Sequence, residues 1–414
     1  MGLDVKRGRL LLLENPIQNY AWGSRTELSK LLGRQPATQP EAELWIGAHP
    51  KAPSSLSDGR SLLEAIRTDP EGLLGAEVQR RFGDRLPFLL KVLAVDSPLS
   101  LQAHPNREQA RQGFAREQAA GIPLDAAERT YKDDNHKPEL LCALTPFEVL
   151  CGFRPAEDAV RLFETLGLGQ SAIARQLRHP GPEPLRAAFS ELMGMGSAAK
   201  AELLGSVVAG CARALTTPSA FSASLSWALS LAERYPGDVG AVASLLLNHL
   251  TLAPLQAIYL EAGRLHAYLR GTGVEIMANS DNVLRGGLTP KFVDVPELLR
   301  VLHFDSPAMQ PVTALGGTPG EHIYQTPAAE FQLACLDIAP ERSFDHRVGG
   351  PELLLCVDGQ VYVELTPPGT TNNSVVLAPR PLRKGQACFL PGSSSSYRLR
   401  GNGRVFRATV AVLP

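Results

Sequence analysis

Short apolar runs broken by proline and glycine dominate the first 154 residues and predict β-strands. Residues 86–95 form one such run, bounded by turn-forming residues, and this pattern is typical of a buried strand. Lys91 interrupts the run, and a lysine among buried strand positions needs a partner or a ligand. Residues 140–153 predict two further strands, separated at Thr145 and Pro146.

Between residues 155 and 252 the hydrophobic pattern changes to the helical period. Alanine, leucine and arginine become frequent, aromatic residues become rare, and helical spacing is present at residues 198–215, 223–234 and 241–250. Nothing in this stretch indicates chemistry. We therefore expect residues 155–252 to form an α-helical insertion domain.

Strand patterns return after residue 252. Residues 257–260 and 274–277 each predict a strand. Further on, residues 353–357 and 360–364 predict a hairpin whose turn is Asp358-Gly359, a dipeptide that favours type I′ turns. Many short strands with frequent glycine and proline favour antiparallel sandwiches or barrels.

The composition and net charge of the chain argue against nucleic acids and membranes as binding partners. Of the 414 residues 44% are hydrophobic and 20% are charged, and the net charge of −1 gives no global field that would attract nucleic acid or an anionic membrane. The apolar run at residues 10–13 is too short for a signal peptide, and no apolar run reaches the length of a membrane span. Six cysteines without a CxxC pair are typical of reduced, buried thiols. We expect a cytoplasmic protein that binds neither nucleic acid nor a membrane.

Three polar clusters contain donors suited to a metal ion, and they occupy residues 100–105, 131–139 and 263–268. Gln102 and His104 are two residues apart, so on a strand both side chains face the same side. Glu139 and His266 add a carboxylate and a second imidazole from other parts of the chain. These nitrogen and oxygen donors suit zinc, and the lack of cysteine among them disfavours a purely structural site. Three neutral donors and one carboxylate would leave zinc with a charge of about +1, which can stabilise an oxyanion.

Over nearly its whole length the chain resembles the type I mannose-6-phosphate isomerase family. The resemblance is carried, in the family's order, by NYAWG at 19–23, AELWIGAHP at 42–50, LSLQAHPN at 99–106, NHKPE at 135–139, YPGD at 235–238, GRLHAYL at 263–269 and SDNVLRGGLTPKF at 280–292. It implies a mainly β fold of the cupin superfamily. The implied domains are a jelly-roll catalytic domain at residues 1–154 and 253–310, the α-helical insertion at 155–252 and a second cupin-like β domain at 311–414.

The resemblance also implies an activity and a cofactor. The family interconverts D-mannose 6-phosphate and D-fructose 6-phosphate by proton transfer between C1 and C2 through an enediol-like intermediate, and uses one Zn2+ per chain. Its zinc ligands fall on Gln102, His104, Glu139 and His266, the donors singled out above. The expected partner is a small sugar phosphate, in a pathway of carbohydrate metabolism towards either glycan precursors such as GDP-mannose or sugar catabolism. We expect a monomer.

Isomerisation needs a base near C1 and C2, an electrophile at the substrate oxygens and an anchor for the phosphate. His136, assisted by Lys137, is the favoured base because an imidazole titrates near neutrality. Glu275 is the alternative, as a carboxylate whose pKa burial would raise. His136 has a second interpretation, in which its hydrogen bond orients Glu139.

Positive charge and aromatic rings complete the expected site. The resemblance makes Arg285 a catalytic residue, in a glycine-containing segment that allows close approach of the backbone to a ligand. A salt bridge from Arg285 to Asp281 or Asp294 is the alternative. Phosphate contacts are expected from Lys91, Ser100 and Lys291, and the walls of the sugar pocket from Tyr268 and Trp22, which as aromatics could equally belong to the core.

Two other classes of protein share parts of this pattern. A cupin dioxygenase also holds one metal in a β-barrel, but its histidine-rich ligand set and redox iron fit poorly with Gln102. A non-catalytic sugar-phosphate sensor would keep the pocket without turnover. Towards the C-terminus His303, His322 and His346 are scattered, so we expect no second metal site there.

Overall fold

A computed structural model describes residues 10–179, 183–307, 309–366 and 378–411 of the chain. Strands make up 31% and helices 28% of the structure, which confirms the expected mainly β class. Within the described residues the strands form two ten-stranded antiparallel sheets.

The segment that ends at Phe153 alternates strands with short helices. Its elements are β1 (Leu11–Glu14), β2 (Ile17–Gln18), α1 (Glu27–Leu31), β3 (Glu43–Ile46), β4 (Ser55–Leu56), α2 (Leu62–Thr68), α3 (Pro70–Leu74), α4 (Ala76–Phe82), β5 (Phe88–Val95), β6 (Leu101–Ala103), α5 (Arg107–Ala119), β7 (Glu139–Ala143) and β8 (Phe147–Phe153). Every residue of β5 is buried, which confirms the buried strand expected at residues 86–95. The strand pair expected at residues 140–153 is confirmed by β7 and β8.

Helices dominate the next segment. They are α6 (Ala156–Thr165), α7 (Ala172–Leu177), α8 (Pro184–Gly194), α9 (Ser197–Ala214), α10 (Ser222–Arg234), α11 (Gly240–Ala243) and a 3-10 turn at Ser244–Leu246. The helices expected at residues 198–215 and 223–234 are confirmed by α9 and α10. Leucines and alanines of these helices pack in one apolar core with Leu150 and Phe153 of β8.

The helix expected at residues 241–250 is wrong in its second half. The chain leaves the helical conformation after Leu246 and forms β9 (Leu247–Leu252), which pairs with β8. Leu245, Leu246 and Leu247 are all completely buried. Such a short, continuous apolar run has no periodicity that separates helix from strand, so the pairing with β8 decides the outcome.

The following segment contains β10 (Ala257–Leu260), β11 (His266–Ala278), β12 (Leu284–Gly287) and α12 (Val295–Val301). The strands expected at residues 257–260 and 274–277 are confirmed by β10 and β11. The long strand β11 pairs with β6 and β8 in its first half and with β5 and β7 in its second half. It therefore connects the strands on which the polar clusters of the sequence lie.

The C-terminal part is almost entirely β. Its strands are β13 (Leu315–Gly316), β14 (Glu321–Tyr324), β15 (Gln332–Ile338), β16 (Phe344–Arg347), β17 (Glu352–Thr366), β18 (Arg380–Arg383), β19 (Ala387–Leu390) and β20 (Ser396–Thr409). The sheet order is β13-β14-β15-β20-β17-β19-β1-β4, with β16 paired to β20 and β18 paired to β17.

The hairpin expected at Asp358-Gly359 is wrong, because β17 runs straight through this dipeptide. The pairing of β17 with β20 shifts register between Cys356 and Asp358, which is a bulge rather than a turn. Gly359 has a φ of 68°, and a Cβ there would lie 2.1 Å from the carbonyl oxygen of Asn402. The backbone conformation and the close approach of Asn402 therefore require glycine here, but in an irregular strand rather than in a hairpin turn.

Strand β1 pairs with β19, and β4 pairs with β1, so the N-terminal segment completes the sheet of the C-terminal strands. One apolar core joins both sheets, since Leu90 of β5 belongs to the same cluster as Leu353 of β17 and Phe406 of β20. The division into domains at residues 154, 252 and 310 stays a prediction.

Two further expectations concern the chain as a whole. Across the described ranges no helix is both long and apolar enough to cross a membrane. All six cysteines lie in these ranges, where they are buried and form no disulfide.

Candidate active site

A cavity of about 600 Å³ opens where β3, β5, β6, β11 and β12 meet. Its volume lies within the range of small-molecule sites. The cavity brings together ten of the expected site residues, which are Trp22, Lys91, Ser100, Gln102, Lys137, Glu139, Tyr268, Glu275, Arg285 and Lys291.

Three donors of the expected metal set converge beside this cavity, and of the three only Glu139 lines it. The candidate ligand atoms of His104, Glu139 and His266 all lie within 4.8 Å of one another. Oε2 of Glu139 is 3.4 Å from Nε2 of His104 and 3.5 Å from Nε2 of His266. Strand pairing accounts for part of the convergence, because Gln102, two residues before His104, is opposite His266 at the start of β11. Glu139 comes from β7 and is opposite Met277, near the other end of β11.

The two imidazoles are oriented by backbone carbonyls on their outer side. Nδ1 of His104 donates to the carbonyl of Asn282 at 2.7 Å, and Nδ1 of His266 donates to that of Arg264 at 2.9 Å. Both Nε2 atoms therefore carry lone pairs that point towards Glu139. Within the described residues these Nε2 atoms and Oε2 of Glu139 are buried without a hydrogen-bond partner. Three such atoms facing one another fit a metal ion, which would satisfy all of them.

The protonation states at this cluster agree with metal binding. Burial, followed by the charge of Lys137, lowers the pKa of His104 to about 4, so the ring is neutral near pH 7. Burial alone would raise the pKa of Glu139, but Lys137 at 2.8 Å and His104 lower it well below its usual range. Neutral imidazoles and an ionised carboxylate are the forms that bind metals.

Gln102 lies directly beside this cluster. It pairs with His266 of β11 on one side and with Arg285 of β12 on the other. Its side chain lines the cavity. Its role as the fourth metal ligand stays a prediction.

A buried acid–base group occupies another wall of the cavity. Nζ of Lys91 lies 3.2 Å from Glu275 and 3.3 Å from Glu43, and the hydroxyl of Tyr268 donates to Glu275 at 2.9 Å. Burial raises the pKa of Glu275, while Lys91 opposes that shift. For Lys91 burial would lower the pKa, but Glu43 and Glu275 raise it. Glu43 and Glu275 are thus the partners that we expected for a lysine in a buried strand.

Arg285 and Lys291 supply positive charge on the same cavity. Neither alternative partner of Arg285 is used: Asp281 pairs with Lys51 at 2.9 Å, and Asp294 caps α12. Arg285 forms no ion pair with any residue that the structure describes. Burial lowers the pKa of Arg285, as expected for a cation without a nearby carboxylate. Its guanidinium is therefore available to an anionic ligand.

His136 does not line the cavity, in contrast to its neighbour Lys137. Its Nε2 lies 2.7 Å from Oε1 of Glu330 and 2.9 Å from Nη2 of Arg107, two residues that are also absent from the cavity lining. Neither expected role of His136, as base or as a hydrogen-bond partner of Glu139, has support from these contacts. Both stay predictions.

The expected aromatic residues, Trp22 and Tyr268, line the cavity and also pack against other side chains. The ring of Trp22 stacks on Tyr20 at 5.9 Å between ring centroids, and both line the cavity. Tyr268 is 2% exposed and packs edge-on against Phe147, so it belongs to the core as well as to the site. The two alternatives for these aromatics, wall or core, therefore do not exclude each other.

Several residues of the cavity were missed from sequence. They are Tyr20, Glu43, Trp45, Lys51, Lys132, Arg234 and Tyr235. Arg234 and Tyr235 come from the helical segment, which was expected to carry no chemistry: Arg234 donates to Ser97 at 2.5 Å and Tyr235 to the carbonyl of Pro98 at 2.7 Å. The motifs at 19–23, 42–50 and 235–238, which carry the family resemblance, contain four of these residues and were the available signal.

Comparison with known proteins gives a consistent result. The family model described as "Phosphomannose isomerase type I, catalytic domain" matches residues 10–156. The chain is 40% identical to the mannose-6-phosphate isomerase of Salmonella typhimurium over 404 residues, which are 95% of this chain and 98% of the relative. It is 34% identical to the mannose-6-phosphate isomerase of Homo sapiens over 427 residues, which cover 95% of each chain.

Solved structures extend the likeness to the fold. The crystal structure of the Salmonella typhimurium mannose 6-phosphate isomerase bound to its substrate, fructose 6-phosphate, and zinc has a TM-score of 0.87 and 38% identity. The match covers 97% of this chain and 100% of that structure. This likeness confirms the expected class, a mainly β fold of the cupin type with a helical insertion. By sequence and by fold, the chain belongs to the type I mannose-6-phosphate isomerase family, whose members are isomerases.

Proposed function

We propose that this chain interconverts D-mannose 6-phosphate and D-fructose 6-phosphate, with one zinc ion held by Gln102, His104, Glu139 and His266. The observation that carries the proposal is the trio of buried ligand atoms of His104, Glu139 and His266, which have no hydrogen-bond partner among the described residues and of which Glu139 lines the cavity. The Salmonella typhimurium relative, which this chain matches along its full length, holds zinc and fructose 6-phosphate in its crystal structure.

The donor set suits a catalytic rather than a structural ion. One carboxylate and three neutral donors leave a net positive charge, and a purely protein-bound structural site would need thiolates or lack access to the cavity. When bound, zinc supplies a Lewis acid that polarises the substrate oxygens. Lys137, whose Nζ is 2.8 Å from Oε1 of Glu139, adds a second positive charge beside these ligands.

Glu275 is the base that the geometry favours. Isomerisation removes a proton from C2 of the aldose and returns one to C1, through an enediol-like intermediate. The Glu275 carboxylate lines the cavity, and burial makes it more basic than a surface carboxylate. Lys91 keeps it ionised, and the hydrogen bond from the Tyr268 hydroxyl to Oε1 holds its orientation. We assign the transfer of the proton between the substrate oxygens to Lys137, which lines the cavity beside Glu139.

The phosphate is best placed near Arg285, Lys291 and Ser100. Arg285 has no ion pair with any described residue, and Lys291 lies on the exposed edge of the cavity. Lys91 is a weaker phosphate anchor than we expected from sequence, because Glu43 and Glu275 already compensate its charge. We therefore assign Lys91 to the support of Glu275.

A coupled assay for fructose 6-phosphate tests the proposal. Purified protein should produce fructose 6-phosphate from mannose 6-phosphate, lose this activity after dialysis against a chelator, and regain it with added zinc. His266→Ala should lose most of the zinc that the wild type binds, whereas the matched surface variant His322→Ala should keep its zinc and its activity. Turnover that is insensitive to the chelator would refute the role of zinc. Zinc binding without any turnover would favour the sugar-phosphate sensor.

A further inference from the structure

Asn282 is a completely buried residue between the metal cluster and the loop that leads to Glu139. It does not belong to the residues that line the cavity in the described part of the chain, although Asp281, Val283 and Arg285 around it do. We propose that Asn282 is a positioning residue that couples the orientation of His104 to the conformation of residues 132–135. The proposal rests on the zinc site of the proposed function.

The side-chain amide of Asn282 fixes the loop. Its Oδ1 accepts from the backbone N–H of Lys132 at 2.7 Å and of Asp133 at 3.2 Å. Its Nδ2 donates to the carbonyl of Asp133 at 2.8 Å and to that of Asn135 at 2.9 Å. Both lone pairs and both N–H groups of the amide are thus used on backbone atoms of one short segment. These hydrogen bonds fix the backbone conformation of residues 132–135 and leave no group of the amide for a ligand.

The backbone carbonyl of Asn282 fixes the metal ligand. It accepts a hydrogen bond from Nδ1 of His104 at 2.7 Å, and because a carbonyl only accepts, Nδ1 carries the proton. This leaves the lone pair on Nε2, the atom that faces Glu139. Asn282 therefore sets the tautomer of His104 through its backbone carbonyl. Through its side chain it holds the segment 132–135, which leads to Lys137 and Glu139.

Asp133 and Ser280 complete this junction. The Ser280 hydroxyl donates to Oδ1 of Asp133 at 2.8 Å, and the backbone N–H of Asn282 donates to Oγ of Ser280 at 3.2 Å. The backbone N–H of Asp281 donates to Oδ2 of Asp133 at 2.7 Å. The bonds from Ser280 and Asp281 to Asp133 join segments that are far apart in sequence, so they help to hold the two segments in their relative position.

The test uses Asn282→Asp, which keeps the shape of the side chain and removes the Nδ2 donor. The new carboxylate would face the carbonyls of Asp133 and Asn135, so the segment must move. We expect the zinc dissociation constant, measured by competition with a chromophoric chelator, to rise by about 10- to 100-fold, the range typical of lost support for a metal ligand. We also expect kcat to fall more than KM changes, because the substrate contacts themselves remain.

Asn279→Ala is the matched control. Asn279 lies three residues earlier, and its amide donates to the carbonyl of Leu86 rather than to the loop or to His104. It should lower the melting temperature without changing the zinc dissociation constant. Zinc affinity of Asn282→Asp within about twofold of the wild type, at whatever loss of melting temperature, would overturn the proposal and leave Asn282 a purely structural residue.

A milder variant covers the case in which Asn282→Asp does not fold. Ser280→Ala removes one hydrogen bond from Asp133 and one from the backbone of Asn282, and should raise the zinc dissociation constant by a smaller factor in the same direction. The comparison of zinc dissociation constants tests this inference separately from the proposed isomerase function. Wild-type protein that binds zinc but does not isomerise would refute the function while the affinity comparison still decides the role of Asn282. Wild-type protein that binds no zinc would overturn both.

Discussion

Lys91 and Glu275 face each other directly across the paired strands β5 and β11, with 3.2 Å between Nζ and Oε2. Glu43, on the opposite neighbour β3, lies 3.3 Å from the same ammonium. All three side chains are buried, so one cation serves two carboxylates in a low-dielectric environment. Removal of the cation would leave two buried carboxylates without compensation.

Lys91→Met tests this arrangement. We expect the free energy of unfolding to fall by roughly 3–5 kcal/mol, because breaking a buried pair leaves uncompensated charge. Turnover should fall by at least about 100-fold, since loss of Lys91 would raise the pKa of Glu275 further and favour its protonated form. Urea unfolding and the coupled assay measure the two effects. The control is Lys30→Met, which breaks an exposed pair with Glu27 and should cost less than about 1 kcal/mol. Equal effects of the two substitutions would contradict the role of Lys91.

Arg285→Ala should retain zinc and lose most of its turnover. Its guanidinium is a cation on the cavity with no described carboxylate partner, and loss of one preorganised donor to a developing charge costs about 10²–10³ in kcat. Arg285→Lys should recover only part of this loss, because an ammonium lacks the planar fork. Zinc content and steady-state kinetics are the measurements, with Arg111→Ala on the exposed face of α5 as the control. A fully active Arg285→Ala would contradict the role of the charge.

His136→Gln and Glu275→Gln together decide which residue is the base. Because His136 contacts Glu330 and Arg107 rather than the cavity, we expect His136→Gln to keep turnover within about tenfold of the wild type, less than the loss of a general base would cost. Glu275→Gln should lower kcat by about 10²–10⁴, the range of a lost general base. Steady-state kinetics at saturating substrate distinguish the two. The reverse ranking would restore His136 as the base and remove Glu275 from that role.

Glu297 should contribute acid-sensitive stability. Burial would raise its pKa, but hydrogen bonds from Arg300, Tyr131 and Arg116 lower it from 4.5 to about 2. A depressed carboxyl pKa means that the unfolded chain binds the proton more readily, so the contribution is complete above about pH 4.5 and is lost as the pH falls towards 2. Glu297→Gln should therefore be less stable than the wild type at about pH 6, with a difference that shrinks by about pH 3. Urea unfolding across this range is the measurement, and a pH-independent difference would contradict it.

The sequence singled out the three donors that the structure brings together, His104, Glu139 and His266, but not the residues that surround them. The two-residue spacing of Gln102 and His104 predicted one face of a strand, although β6 ends at Ala103, one residue before His104. Glu139 and His266 stood out as donors within polar clusters. Glu43 and Asn282 lie in the family motifs at 42–50 and 280–292, but their roles were not predicted, because these roles arise from strand register and from loop contacts across the fold. Periodicity contains neither kind of information.

The errors in secondary structure have a similar origin. The expected helix at residues 241–250 and the expected turn at Asp358-Gly359 were both supported by local preference. In each case pairing with a distant strand determined the conformation. Residues 247–252 pair with β8 as the strand β9, and β17 stays paired with β20 on both sides of the dipeptide. His136 illustrates the same point for chemistry, since Lys137 beside it lines the cavity while its own ring contacts Glu330.

The pairing of Leu11–Glu14 with Ala387–Leu390 also determines when this sheet can be completed during synthesis of the chain. A nascent chain emerges from the ribosome with the first of these strands long before the partner edge exists. Early in synthesis that strand can pair only with Ser55–Leu56, and its other partner is missing until Ala387–Leu390 has been made, so this sheet closes late and not domain by domain. Truncations that remove either of these segments would therefore damage the same sheet from opposite ends.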